Sequence, residues 1–272
     1  MKHLAQQASS INSLCMPRYA LKIEYNGKGF AGWQRQKSHK TIQGEIEASL
    51  KKLDPEITSI FGAGRTDAGV HATSQIAHCD LIEKWDNFKL KEALNFHLKP
   101  NKISVLDVNI VPDKFHARFS ATKRKYLFRL ISRRPPLAIE AGLAWHVKYE
   151  LKLKPMLLAR KYFIGKHDFT TFRASSCQSQ SPVKTIESIE IKEIPISNGF
   201  EYQFEFTAPS FLQNQVRSLV GTLEKVGSGV LQPRQVKSAL EAKDRSFCGP
   251  VSPPDGLYLV DVIYPKNPFQ CR

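Results

Sequence analysis

One segment near residue 200 constrains the fold most strongly, because aromatic and polar side chains alternate along it without a break. The aromatic positions are Phe200, Tyr202, Phe204 and Phe206, and the polar positions between them are Glu201, Gln203, Glu205 and Thr207. Successive side chains of a β-strand point to opposite faces, so this pattern predicts a strand with one buried and one polar face. A fold for this chain must therefore include a sheet.

Both halves of the chain mix strand patterns with helix patterns. Alternating apolar residues predict further strands at 19–25, 74–81 and 103–111, within 115–133, and at 257–264. Apolar residues at helical spacing predict helices at 42–53 behind a Thr41 N-cap, at 88–98, at 153–163 with an early interruption at Pro155, from about Phe211, and from Pro233. Several strands follow one another directly, which favours antiparallel or mixed sheets.

These patterns predict an α+β protein of two sheet-containing halves, at 17–113 and 114–272, whose mostly antiparallel or mixed strands are flanked by helices. Residues 1–16 are small and polar, and we expect a disordered N-terminal extension there. The Ser- and Gln-rich segment 172–184 is expected to be a mobile surface connection.

The charge balance narrows the class of partner. Lys and Arg total 40 against 25 Asp and Glu, a formal net charge of +15 over 272 residues. A surplus of this size predicts a polyanionic partner, with RNA or DNA first, although it also serves solubility alone. The chain has no apolar run approaching the roughly 18 residues of a membrane span, and it lacks the apolar segment of a secretory signal. We therefore predict a cytoplasmic protein without a membrane partner.

Cysteine and histidine spacing gives no sign of a metal site. The five cysteines include no CxxC pair, which predicts reduced thiols and no zinc ribbon. His71 and His78 precede Cys79, but no HExxH motif accompanies them. Packed or hydrogen-bonded histidines are therefore favoured over metal ligands, and no metal is expected.

The sequence FGAGRTDAGVH, at 61–71, is the strongest candidate for chemistry. It lacks the GK[ST] ending of a phosphate-binding loop and the GxGxxG spacing of a dinucleotide site, and the residues after it have strand character. The glycines allow a tight loop that presents Asp67 as a nucleophile or base, with Arg65 beside it to contact a nucleic-acid backbone or fill a base-sized gap. An Asx-turn with a solvated Arg65 explains the loop equally well.

Six segments together resemble one family. The segments are GRTDAGVHA, YNGKGFAGWQRQ with TIQGEIEASL, FHARFSATKRKYLFRL, HDFTTFRASSCQSQSPVKTI, FLQNQVRSLVGTL and PPDGLYLVDVIYP. Taken in chain order, they resemble the tRNA pseudouridine synthase A family over about 19–265. The resemblance implies a pseudouridine synthase fold with a central basic cleft, and a homodimer. It also implies cofactor-independent conversion of uridine to pseudouridine at positions 38, 39 and 40 in the anticodon stem-loop of tRNA.

The same resemblance assigns roles to four residues. Asp67 matches the catalytic aspartate, and Tyr126 matches a tyrosine that packs on the target base. Arg217 matches an arginine that pairs with the aspartate, and Arg65 matches a residue that helps hold the target nucleotide out of the stack. The run of Gln213, Asn214 and Gln215 departs from the family pattern, as does Ser218.

The residues alone do not decide the roles of Tyr126 and Arg217. Tyr126 lies within a basic stretch (Lys123, Arg124, Lys125 and Arg129), which is suited to stacking a base beside phosphates, yet it shares its face with apolar residues and resembles a core tyrosine. Arg217 falls at the edge of an apolar helical stripe, with Gly221 one turn away leaving room for a close neighbour. A solvated helix arginine is the alternative there. A basic RNA-binding protein without catalysis is the competing function.

Overall fold

The computed structural model describes residues 16–57 and 59–270. Except for Met16, the predicted disordered extension lies outside the described residues. The strands are β1 (Arg18–Tyr25), β2 (Phe61–Gly62), β3 (His71–Asp80), β4 (Ile103–Val111), β5 (Lys123–Arg133), β6 (Trp145–Val147), β7 (Gly165–Asp168), β8 (Val183–Ile186), β9 (Ser188–Ile196), β10 (Gly199–Ala208) and β11 (Leu257–Ile263). The helices are α1 (Ile42–Leu50), α2 (Asn87–Leu98), α3 (Leu153–Ala159), α4 (Gln215–Gly227) and α5 (Pro233–Ala242).

Nine of the eleven described strands, from both predicted halves, belong to one mixed sheet of order β4-β1-β3-β11-β5-β10-β9, with β2 also paired to β3 and β6 to β5. The other two, β7 and β8, form a separate antiparallel sheet. The pairs are antiparallel except for β3 with β11 and β5 with β6. The α+β class with mixed strands is therefore confirmed. The two halves meet where β11, from the end of the chain, pairs with β3 through Tyr258 and His71.

The alternating segment forms β10, and its aromatic face supplies much of the core. Tyr202, Phe204 and Phe206 are fully or almost fully buried. Phe206 lies directly opposite Tyr126 on β5, and Phe204 lies opposite Phe128. Residues that face one another across an antiparallel pair share one side of the sheet. Tyr126 therefore stands on the buried side, and this register carries it to the centre of the molecule.

Local sequence explains where most helices begin. The Thr41 hydroxyl accepts from the Gly44 N–H and caps α1, as predicted. Pro155 does not interrupt α3, because it lies in the first turn, where N–H groups have no intrahelical acceptor. The predicted start of α4 near Phe211 is wrong, since the helix begins at Gln215 after Asn214 adopts a left-handed conformation. Within the described residues, no helix is both long and apolar enough to cross a membrane.

Candidate active site

Asp67 lies in the loop between β2 and β3, and this loop is fastened to its surroundings on several sides. The Trp33 N–H donates to the Thr66 carbonyl at 3.0 Å, and the Tyr25 hydroxyl bonds the Thr66 hydroxyl at 2.8 Å. Gly69 has φ +78, a backbone conformation that would be costly for a residue with a side chain. These contacts fix the loop so that Asp67 projects from a rigid turn.

Arg217 comes from α4 and approaches Asp67 with 3.9 Å between its Nη1 and Oδ2 of the carboxylate. The guanidinium is held by other groups: its Nε donates to the Ser252 carbonyl at 2.7 Å, and its Nη1 donates to Oδ1 of Asn214 at 3.1 Å. Arg217 is therefore not a solvated helix arginine. The close neighbour expected at Gly221 is confirmed, because a Cβ there would lie 1.8 Å from the Pro250 carbonyl oxygen.

The electrostatics of the pair are dominated by loss of water. Burial raises the pKa of Asp67, and the Arg217 cation and the Asn214 backbone N–H offset part of that rise. Burial also lowers the pKa of Arg217, and the nearby Asp67 and Asp255 oppose this. The raised pKa of Asp67 and the lowered pKa of Arg217 each favour the neutral form of the group. The attraction between the two charges across 3.9 Å therefore does not fully compensate for the hydration that both groups lose on burial. The carboxylate is partly desolvated and is not locked by its cation.

Tyr126 forms a wall of the same site. Its hydroxyl lies 3.7 Å from where a Cβ on Gly64 would stand, and its ring meets Phe211 edge-on with 5.1 Å between centroids. Burial raises the pKa of the Tyr126 hydroxyl, and the Asp67 charge raises it further. With 8% of its surface exposed, Tyr126 is both a core residue and a neighbour of the carboxylate.

Arg65 is exposed on the same loop, two residues before Asp67. The structure therefore brings Asp67, Tyr126 and Arg217 together from three distant parts of the chain. Within the described residues, no hydrogen bond or ion pair joins the Arg65 side chain to these three.

The interpretation of the basic stretch around Tyr126 as a phosphate contact is wrong for its two arginines. Arg129 donates to Glu201 and Glu140, both at 2.8 Å. Arg124 is 9% exposed and donates to backbone carbonyl oxygens of Ala63, Arg118, Ala121 and Pro209. The lysines of the stretch are half-buried, with Lys123 2.6 Å from Glu187 and Lys125 3.7 Å from Glu205.

Two functional residues were missed from the sequence. Arg124 ties the Asp67 loop, at Ala63, to Pro209 on the approach to α4, and its place on the buried face of β5 was a usable signal. Asn214 contacts both Asp67 and Arg217. Its signals in the sequence were its position one helical turn before Arg217, on the same polar face, and its departure from the family pattern.

The segment 172–184 is anchored at its start. Phe172 is fully buried, the Ala174 N–H donates to the Gln213 carbonyl at 3.0 Å, and the Ser176 hydroxyl reaches the Gln213 side chain at 3.4 Å. The expectation of a mere surface connection is wrong for these first residues. They pack beside the residue that precedes Asn214.

Both His71 and His78 use their Nδ1 atoms to bind backbone N–H groups. Nδ1 of His71 accepts from the Gly27 N–H at 3.0 Å, and Nδ1 of His78 accepts from the Ala117 N–H at 3.2 Å. Packed, hydrogen-bonded histidines were expected, and this is confirmed. Over residues 16–57 and 59–270, no group of three or more His, Cys, Asp or Glu side chains is placed to hold a metal ion.

Comparison with known proteins places this geometry in a family. A family model described as tRNA pseudouridine synthase matches residues 22–120 and 159–265. The "tRNA pseudouridine synthase A" of Dinoroseobacter shibae is 56% identical over 94% of this chain and 99% of its own length. The proteins of the same name from Cereibacter sphaeroides and Roseobacter denitrificans are each 54% identical, over 93% and 94% of this chain.

Similarity to solved structures is weaker. A chain in a Cbf5-Nop10-Gar1 complex is 10% identical, with a TM-score of 0.35, over 89% of this chain and 48% of that one. Similarity at this level does not bear on function. The family model matches most of this sequence, and the Dinoroseobacter shibae relative matches it over nearly the full length of both chains. The chain therefore belongs to the tRNA pseudouridine synthase family.

Proposed function

We propose that this protein converts uridine to pseudouridine at positions 38, 39 and 40 in the anticodon stem-loop of tRNA, with Asp67 as the group that acts on the nucleotide. The observation that carries the proposal is the meeting of Asp67, Arg217 and Tyr126, which are far apart in sequence. The relatives named as tRNA pseudouridine synthase A support the substrate and the reaction.

The reaction requires access to a glycosidic bond that lies inside the stem-loop. The target uridine must leave the stack, at a cost of a few kcal/mol. Contacts between phosphates and a protein of net charge +15 offset that cost. Arg65, which is exposed two residues before Asp67, fills the space that the flipped base leaves. Tyr126 then offers an aromatic surface against which the flipped base packs.

Isomerisation breaks the bond between ribose C1′ and uracil N1 and forms one between C1′ and C5. A proton leaves C5, and a proton is returned at N1, so the product has the composition of the substrate and no group-transfer cofactor is needed. Asp67 begins the sequence in its ionised form, by attack at C1′, attack at uracil C6, or proton abstraction leading to a glycal. Arg217 favours that ionised form, and partial burial strengthens its effect.

The competing function is RNA binding without catalysis. A binding surface for RNA gains nothing from a carboxylate, because Asp67 repels phosphate. The half-buried Arg217 also lies beside this carboxylate, where the Ser252 carbonyl and Asn214 hold it in place. This arrangement is better explained by a catalytic role for Asp67 than by RNA binding alone.

Release of the C5 hydrogen from labelled uridine in tRNA tests the proposal. Asp67→Asn keeps the side-chain shape and removes the charge, so we expect turnover to be abolished while tRNA binding is retained. Glu83→Gln makes the same change of a carboxylate to an amide at an exposed position and should keep wild-type turnover. Near-normal turnover by Asp67→Asn contradicts the assignment.

We also propose that the protein works as a homodimer in the cytoplasm. Family resemblance supports the dimer, and the absence of a CxxC pair among the cysteines supports the compartment. Sedimentation equilibrium of the purified chain, with and without tRNA, tests the dimer. A single species with the mass of one chain at micromolar concentration contradicts it.

A further inference from the structure

We propose that Asn214 is a positioning residue, which holds Asp67 and Arg217 in one fixed arrangement by contacting the first through its backbone and the second through its side chain. This inference rests on the proposed role of Asp67 and deepens it. Asn214 immediately precedes α4 and is neither the nucleophile nor the cation of the pair.

The backbone of Asn214 is unusual. It has φ 61 and ψ 1, in the left-handed region, which is costly for most residues with a side chain and is tolerated best by glycine and asparagine. The neighbouring residues hold this conformation from both sides. Oε1 of Gln215 accepts from the Leu212 N–H at 2.8 Å, and the Ser218 N–H donates to the Asn214 carbonyl at 2.9 Å. A conformation maintained in this way is often part of a functional site.

The left-handed turn places the two polar ends of Asn214 on different partners. Its backbone N–H faces the Asp67 carboxylate and lowers the pKa of that group. Its side-chain oxygen, Oδ1, accepts from Nη1 of Arg217 at 3.1 Å.

The side-chain contact controls how closely the ion pair closes. An arginine and a carboxylate prefer a bidentate pair with two short bonds. Here Nε of Arg217 is occupied by the Ser252 carbonyl and Nη1 by Asn214, and the nearest approach to Asp67 stays at 3.9 Å. The guanidinium therefore supplies positive charge without capping the carboxylate oxygens. Asp67 stays free to reach a nucleotide.

The groups that titrate around this arrangement come from three elements. Arg217 on α4 and Tyr126 on β5 face Asp67, and Asp255, before β11, faces Arg217. When Oδ1 of residue 214 is removed, Nη1 of Arg217 loses its acceptor. The closest remaining anion is Asp67, so the pair should close. Closure lowers the pKa of Asp67 and at the same time hinders its chemistry.

Asn214→Gly tests this, because glycine keeps the left-handed backbone and the N–H and removes only the side chain. We expect kcat to fall about 10-fold or more with the KM for tRNA within about twofold, a change of roughly 1.4 kcal/mol in the barrier. The acid limb of the kcat profile should move to lower pH. Asn198→Gly is the matched control, since Asn198 is also left-handed, at φ 63 in the turn before β10, and it should change neither quantity.

A second variant separates the backbone from the side chain. Asn214→Ala removes Oδ1 and also disfavours the left-handed backbone, so its kcat should fall below that of Asn214→Gly. Wild-type kcat with an unmoved acid limb in Asn214→Gly, or a limb moved to higher pH, overturns the inference. If Asn214→Gly gives one of these results while Asp67→Asn is inactive in the same assays, the inference about Asn214 is wrong and the proposed role of Asp67 stands. An active Asp67→Asn instead removes the proposed function on which the inference rests.

Discussion

Gly221→Ala should damage the site from one helical turn away. Replacing a glycine inside a helix with alanine ordinarily stabilises a protein by about 1 kcal/mol. At this position the new Cβ would lie 1.8 Å from the Pro250 carbonyl oxygen and 2.9 Å from its carbon. These are backbone atoms, which cannot rotate away as the end of a side chain can. The segment 249–252 must therefore move by roughly 1.5 Å before the new Cβ and the Pro250 carbonyl oxygen are at normal contact distance.

That movement has a structural and a catalytic consequence. Overpacking costs about 1–3 kcal/mol, and the helix gain offsets about 1 kcal/mol of it, so we expect a net loss of up to about 2 kcal/mol and a Tm lower by up to roughly 8 °C. The displaced segment includes Ser252, whose carbonyl accepts from Nε of Arg217 at 2.7 Å. A hydrogen bond to a charged group contributes about 1.5–3 kcal/mol, so kcat should fall by at least about 10-fold.

Gly227→Ala is the matched control on the same helix. Its Cβ would meet Sδ of Met156 at 2.8 Å, and a methionine side chain can shift at little cost. Differential scanning calorimetry and labelled-uridine turnover of the two variants give the comparison. We expect Gly227→Ala to keep wild-type turnover and a Tm at or near the wild-type value. A Gly221→Ala protein with wild-type turnover refutes the account of how Arg217 is held.

Three further predictions concern the carboxylate, its support and the RNA surface. Burial raises the pKa of Asp67 above its unfolded value, so the contribution of this carboxyl group to stability is present at low pH and is lost as pH rises through the folded pKa. The Tm of Asp67→Asn at pH 7 should therefore be no lower than that of wild type. A clear loss of Tm contradicts this. Arg124→Met leaves four carbonyls without their donor and should lose about 3 kcal/mol in urea unfolding, whereas the exposed Arg118→Met should lose under about 0.5. Affinity for tRNA should fall about 10-fold or more between 50 and 200 mM salt, and a flat response contradicts phosphate contacts.

Local pattern was sufficient for much of the fold. The alternation along β10 gave its strand and its buried aromatic face, and Gly221 on the polar side of α4 indicated a close neighbour. These features depend on residues within one element, where side-chain spacing reports directly on the face that is buried.

Other features depend on contacts between distant segments. Nothing local to Leu257–Ile263 shows that β11 pairs with β3 and joins the two halves in one sheet. The charge of Arg124 suggested an RNA contact, yet the fold surrounds it with backbone carbonyls. Asn214 lies beside Asp67 and Arg217 only because the fold brings the start of α4 to the loop at 61–71. The family resemblance supplied the triad of Asp67, Tyr126 and Arg217, which the residues alone left undecided.

Mapping of pseudouridine in tRNA from the native host tests the central claim most directly. A strain without this gene should lack pseudouridine at positions 38, 39 and 40, and the wild-type gene should restore it. The Asp67→Asn gene, expressed to the same level, should restore none, whereas Glu83→Gln should restore it fully. Pseudouridine that persists at those positions without the gene, or that returns with Asp67→Asn, contradicts the account.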